Sequence, residues 1–476
     1  MKRFAIIAAA LCATLGTASA QSSITPDVLT QLQSKQSEAP ASDVAIRNAL
    51  ARTSIAVLAN NASALQMMDT HFTYRVPNKG ITDQQSSGRC WLFTGMNVLR
   101  SKAINRYDLK QLELSQAYLF FYDQLEKANL FLQGCIDTRK QPDDDRMVDW
   151  LFSNPLSDGG TFTGVADLVG KYGVVPKEVM PETFQSNATT EIDKLLKLKL
   201  REMGLELRET GNNTKVRIAD KAINAQLEKR KVEMLAEIYH ILTLVYGVPP
   251  TEFTYTLRNS KDKVISTETY TPQSFYAKYW DNENLYDNYV MVMNDPLREY
   301  YKVYQIDYDR HTYDGHDWVY LNLPADEIKP MAVASIKDST AMYFSCDVAK
   351  FLDRKQGTLD LNNFDYGALL GTTFNMDKRQ RVWTHASGSS HAMTLVAADV
   401  DTTCTEGLKV NKWMVENSWG ATSGYQGHLI MTDEWFDNYM FRLVVNKKYI
   451  DQKYLDMMGQ KPVMLPAWDP MFLEEE

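Results

Sequence analysis

The sequence predicts an α+β protein, a helical half followed by a strand-rich half with a cleft between them. Three observations carry this. Residues 89–104 and 114–131 space their apolar side chains at helical intervals. Residues 190–247 are rich in Lys, Glu, Leu and Arg with the same period and stop at Pro249-Pro250. The strongest strand signals, at 392–398, 412–415 and 428–432, fall toward the C-terminus. The ordinary proportions of apolar and charged residues, 44% and 23%, exclude disorder, collagen-like repeats and coiled coil as readings of the whole chain. At 476 residues, about three domain-sized units, or one core with large insertions, are expected. A net charge of −9 disfavours nucleic acid as a partner, because no basic footprint is available for phosphates.

Read in order, the chain opens with basic Lys2-Arg3, an apolar run over 4–15 and the small residues Ala18-Ser19-Ala20. That is the pattern of a secretory signal peptide (1–20) with a mature start at Gln21, so an exported protein, periplasmic or extracellular, is expected. The run is shorter than the about 20 apolar residues of a membrane span, and no later stretch reaches that length; no membrane association is expected. Residues 21–70 read as a polar arm with some helix. The acids Asp143-Asp144-Asp145 precede an apolar segment and are expected to cap its helix. Residues 251–345 mix Tyr-rich strand-like runs with Pro and Asp turns. Past the leader, which holds Cys12, four cysteines remain: Cys90, Cys135, Cys346 and Cys404. They form no CxxC and too few pairs for a disulfide scaffold, so at most one bridge and no zinc site are expected.

The chemistry concentrates in Asp83-Gln84-Gln85-Ser86-Ser87-Gly88-Arg89-Cys90-Trp91. A cysteine just after a glycine, at the start of a helical pattern, is placed where unpaired N–H groups favour a thiolate, with Arg89 adding positive charge. Gln84 offers an amide that, with the Cys90 N–H, would give two donors to a developing oxyanion. Of seven histidines, His391 enters an apolar strand, which suits a base held rigidly; His385 competes from a polar loop. Asn417, in Glu416-Asn417-Ser418-Trp419-Gly420, could accept from the imidazole, with the Trp419 indole shielding that bond. His311 and His316 are five apart, off a single helical face, so no metal site is expected there.

Cys, His and Asn in this chain order, the Gln six residues before the Cys, Cys-Trp, His-Ala and Asn-Ser-Trp-Gly together resemble the papain-like cysteine peptidases. Ser87 stands where the usual pattern has a cysteine, and His391 follows Cys90 by about 300 residues instead of about 130–150. Both departures are shared by the bleomycin hydrolase (aminopeptidase C) branch. The resemblance extends through 112–123, 158–181 and the ending Leu465-Pro466-Ala467-Trp468-Asp469-Pro470-Met471. It implies a two-lobed papain-like fold with a large helical insertion. The lobes would be 71–189, carrying the nucleophile, and 251–464, carrying His and Asn; the insertion 190–250 would serve assembly into a homohexamer. It also implies a C-terminal tail, 465–476, lying in the active-site cleft. There a carboxylate, at Glu476 or a neighbouring Glu, would hold the substrate's α-amino group and limit cleavage to N-terminal residues.

The implied catalytic residues are Cys90, His391, Asn417 and Gln84. Gly159 and Gly160 would pair their backbone with substrate beside Trp419 and Glu476, since a missing Cβ permits close approach. Peptides with a free N-terminus are the expected substrates, with no metal or organic cofactor. The rivals are an endopeptidase with a displaced tail and a catalytically retired binding assembly.

Overall fold

A computed structural model describes residues 23–37, 40, 42–63, 68–212, 220–405 and 407–469. The expected leader 1–20 and the end of the tail, with Glu476, lie outside the described residues. The chain divides into two compact units, a small one of residues 1–61 with 364–374 and a large one holding the rest. In the small unit, the arm is helical at Pro26–Ser37, Ser42–Leu50 and Ile55–Ala59. The Asp365 N–H donates to the Ala59 carbonyl at 2.8 Å.

The large unit is built on two hydrophobic cores, one mainly among helices and one around a sheet. At the centre of the first lies the helix Cys90–Tyr107, buried along nearly its whole length. Two of its buried polar residues find partners inside through part of each side chain: the Asn97 amide N–H donates to Thr82 Oγ1 at 3.0 Å, and Arg100 pairs with buried Glu416 at 2.5 Å, while Asn97 Oδ1 and Arg100 Nε have no partner among the described residues. Gly95 lets a neighbour approach closely, since a Cβ there would stand 2.7 Å from the Val165 methyls. The second helix, Gln116–Asp137, begins at Ser115, whose hydroxyl accepts from the Tyr118 N–H. Asp145 caps Met147 and Val148 in the helix Arg146–Ser153, the role expected of the acid run.

The segment 190–250 forms the helices Thr190–Gly211 and Asp220–Tyr246, both packed on Gln116–Asp137. Leu196, Leu200, Met203 and Leu207 on one, and Met234, Ile238 and Leu242 on the other, are buried in the same core as Cys135 and Phe131. These helices therefore complete the helical lobe with their inner faces, while Leu195, Leu198 and Leu205 stay exposed on the outer side.

The sheet runs in the order Val463–Leu465, Lys302–Ile306, Val319–Asn322, Tyr289–Met293, Met440–Asn446, Met342–Cys346, His391–Val400, Val410–Glu416, His428–Thr432, Thr358–Leu359, Leu352–Asp353. Strands thus begin well before the C-terminal stretch where the sequence signals are strongest. His391–Val400 is antiparallel to both neighbours, with His391 opposite Cys346 and Thr394 opposite Glu416. Antiparallel pairing brings the start of one strand to the end of the next. His391 and Asn417 therefore emerge at the same end of the sheet. Among the described residues, no helix is long and apolar enough to cross a membrane, and the four cysteines are free thiols.

Candidate active site

Cys90 is the first residue of its helix, after Gly88 and Arg89. The turn before it is clamped by Asp158, whose Oδ2 accepts from the Gly88 N–H at 2.7 Å and from the Thr189 hydroxyl at 2.5 Å. A Cβ on Gly88 would stand 2.2 Å from Asp158 Oδ1, so only glycine permits this clamp. The Trp91 indole N–H donates to the Asp158 carbonyl at 2.8 Å, closing the same loop. Asp158 is a positioning residue that the sequence reading passed over, although it stands directly before the two glycines.

Arg89, expected to add positive charge beside the nucleophile, turns inward instead. It is fully buried, 2.8 Å from Glu182, between the rings of Phe93 and Phe120, and its Nε donates to Ser87 Oγ. A carboxylate at that distance cancels most of its field at the sulfur. Burial pushes the Cys90 thiol up to about 11, although the backbone N–H groups of Ala392 and Trp91 facing the sulfur pull it down. The helix start does supply donors, as expected, but desolvation outweighs them.

His391 shares the cleft with Cys90. Its Nε2 lies 2.9 Å from Asn417 Oδ1, and that oxygen also accepts from the Ser418 N–H at 2.8 Å. The Ser418 donor fixes which end of the amide is oxygen, so His391 Nε2 must carry the proton. Nδ1 is left with its lone pair, as a base. Burial pushes the imidazole down to about 4, against the pull of the Asn417 bond. The Trp419 ring lies 4.9 Å from the imidazole and covers it, as expected. His385 is exposed, in a left-handed turn, and does not line the cleft.

Gln84 is tied to the same corner. Its N–H donates to the Ser418 carbonyl, and its Oε1 accepts from the Ser418 hydroxyl at 2.6 Å. Nε2 is thereby turned to the loop that presents Cys90, where it donates to the Ser87 carbonyl at 2.7 Å and keeps a second hydrogen. Ser418 thus orients both Asn417 and Gln84; the sequence shows it only as a letter within Asn-Ser-Trp-Gly.

Gly159 and Gly160 line the cleft. Behind Gly160 stand His311 and Trp91, 2.3 and 2.8 Å from where its Cβ would be. His311 is buried, its Nδ1 2.5 Å from Asp123, and His316 pairs separately with Asp167. Lys127 joins Asp123 at 2.9 Å and donates to the Gly159 carbonyl at 2.6 Å, fixing the glycine segment from below. The cleft, about 600 Å³, is also lined by Asp309, Arg442 and Ala467. Cys90, His391, Asn417 and Gln84 are thus brought together; Glu476 lies outside the described residues.

A profile of the Peptidase C1-like family matches residues 23–472. The chain is 37% identical over 407 residues to bleomycin hydrolase of Mus musculus, covering 84% of this chain and 88% of that protein. It is 34% identical over 453 residues to aminopeptidase C of Listeria monocytogenes, covering 95% and 99%. To aminopeptidase G of Lactobacillus delbrueckii subsp. lactis it is 36% identical over 426 residues, covering 90% and 94%. The crystal structure of PepW from Lactobacillus rhamnosis superposes with a TM-score of 0.88 at 34% identity, over 95% of this chain and 99% of that one.

Proposed function

The chain belongs to the Peptidase C1-like family, on its bleomycin hydrolase and aminopeptidase C branch, and on that footing we propose that it removes residues from the free N-terminus of peptides through a thioacyl-enzyme. It is a papain-like cysteine aminopeptidase. The observation that carries the mechanism is the His391–Asn417 bond, which leaves a basic nitrogen in the cleft that holds Cys90.

Nδ1 of His391 takes the thiol proton as Sγ of Cys90 bonds to the peptide carbonyl carbon. The carbonyl oxygen takes the negative charge and is held by the Cys90 N–H and the free hydrogen on Gln84 Nε2. The C–N bond then breaks, and His391 returns its proton to the leaving amine. Water, deprotonated by His391, attacks the thioester; the acid departs and the thiol is restored. The partly buried thiol and the buried imidazole each resist carrying charge alone, so in this mechanism the proton passes between them during attack.

The tail supplies the exopeptidase limit in this reading. Ala467 lines the cleft, Asp469 is pinned to Arg298, and Leu465 pairs with the strand Lys302–Ile306. The few residues beyond span at most about 25 Å when extended, enough to lie along a cleft that the chain already borders. A carboxylate there pairs with the substrate ammonium and blocks longer chains. Export through the leader 1–20 and assembly into a homohexamer complete the proposal. The exposed leucines on the outer side of the 190–211 helix support the assembly.

A fluorogenic aminoacyl substrate, free or acetylated, separates the readings when run under reducing conditions. The intact enzyme should cleave only the free amine, and removing Phe472-Leu473-Glu474-Glu475-Glu476 should admit the acetylated form. Equal cleavage of both by intact enzyme would establish an endopeptidase, and no cleavage, with no cysteine of privileged reactivity toward an alkylator, a retired binding assembly.

A further inference from the structure

His391 has two flanks. On one lies the cavity bordered by Asp309, Arg442 and the glycine pair; on the other stands Trp419. The guanidinium of Arg354 stacks on that indole, 4.7 Å from the ring centroid. Arg354 is exposed and makes no ion pair among the described residues. It is not a loose surface arginine, because its turn is held from several sides. Asp353 Oδ1 accepts from the N–H groups of Lys355 and Gln356 at 2.9 and 3.0 Å, and the Gly357 N–H donates back to the Asp353 carbonyl at 2.8 Å. Gly357, at φ +72°, packs so closely on the Tyr425 backbone that a Cβ would stand 2.4 Å from its nitrogen. The adjoining strand Thr358–Leu359 runs along His428–Thr432.

The reaction decides what passes this arginine. His391 must give its proton to the leaving nitrogen, so that atom stands against the imidazole while the acyl half occupies the Cys90 side. The indole packed on that imidazole is then the nearest surface for the departing chain in this inference. From imidazole to indole is 4.9 Å and from indole to guanidinium 4.7 Å, together at most on the order of 10 Å, which a two-residue leaving group of about 7 Å and the hydrogen bond from its carboxylate of about 2.9 Å cover. We propose that Arg354, stacked on Trp419, is a subsite for a carboxylate on the departing peptide, so that the enzyme favours short peptides with a free C-terminus. The inference rests on the aminopeptidase reading and adds a specificity that reading does not contain. A planar, permanently charged donor suits a carboxylate, and the indole beneath it restricts where the fork can point. The same cation would meet an acidic side chain in a longer leaving group, and the substrates below separate the two sources.

The experiment measures kcat/KM of the full chain for Leu-Ala-Ala, its C-terminal amide, and Leu-Ala-Glu-amide, with leucyl-aminomethylcoumarin as a carboxylate-free reference. The free acid should be preferred over the amide by roughly fivefold, the size of one exposed charge pair, and the preference should shrink at high salt. Arg354→Gln should bring the acid-to-amide ratio to about one, and Arg354→Lys should keep part of it. A general disturbance of the cleft through Trp419 moves both substrates alike and cancels in this ratio. Preference for Leu-Ala-Glu-amide as strong as for the free acid would assign the site to any nearby carboxylate and overturn the short-peptide specificity. No acid preference in the wild type, or one that survives Arg354→Gln, overturns the subsite alone. No release of aminomethylcoumarin by the wild type overturns the aminopeptidase reading as well.

Discussion

On the proposed mechanism, desolvation of His391 sets an acid limit on turnover. The imidazole must be neutral to take the thiol proton, and burial moves its protonation down to about 4 from an ordinary value near 6.5. Protonation therefore disables the base only well below neutral pH. The acid limb of kcat/KM on an aminoacyl-aminomethylcoumarin is expected near pH 4, and a limb at 6–7 would show an imidazole open to water. Asn417 permits a second test at the same scale. Asn417→Ala leaves the His391 N–H buried without its acceptor, a loss of about 1–3 kcal/mol. A fall in kcat of roughly 10- to 100-fold with KM little changed is expected from steady-state kinetics. An unchanged kcat would mean the ring is held by packing on Trp419 alone.

The loop that presents Cys90 depends on one missing methyl. Gly88→Ala places a Cβ 2.2 Å from Asp158 Oδ1, so the clamp must open. A lower melting temperature and a large loss of cysteine alkylation rate are expected together; normal values for both would show that the Asp158 contact does not shape the loop. How well such elements can be read in advance varies along the chain. The helix Cys90–Tyr107 and the strand His428–Thr432 were legible because their apolar periods are local properties. So was the order of Cys, His and Asn. The strands Tyr289–Met293 and Val319–Asn322 showed only as strand-like character within 251–345, without bounds or partners, because they are short and their pairing with Met440–Asn446 and with each other is non-local. Nor could the sequence show that Arg89 faces inward: the Glu182 that neutralises it lies about 90 residues away, with no motif linking them. Periodicity at 190–247 marked two amphipathic helices but not which stripe faces Gln116–Asp137.

At the scale of the whole molecule, that outer stripe is the feature without a use inside one chain. Leu195, Leu198 and Leu205 fall on one side of their helix and are 62%, 65% and 53% exposed. A hexamer would cover them. Leu198→Glu with Leu205→Glu should therefore yield smaller particles by light scattering while a single chain keeps its fold; an unchanged mass would place the assembly contacts elsewhere. The hydrogen bond from Ser418 to Gln84 spans 334 positions of sequence. A ribosome making this protein releases Cys90, the proposed nucleophile, long before His391, Asn417 and Ser418 exist. On the proposed mechanism, until that late segment folds back Cys90 is an ordinary thiol with nothing to deprotonate it, and the growing chain is inactive. Connectivity alone thus delays the onset of activity to the end of synthesis.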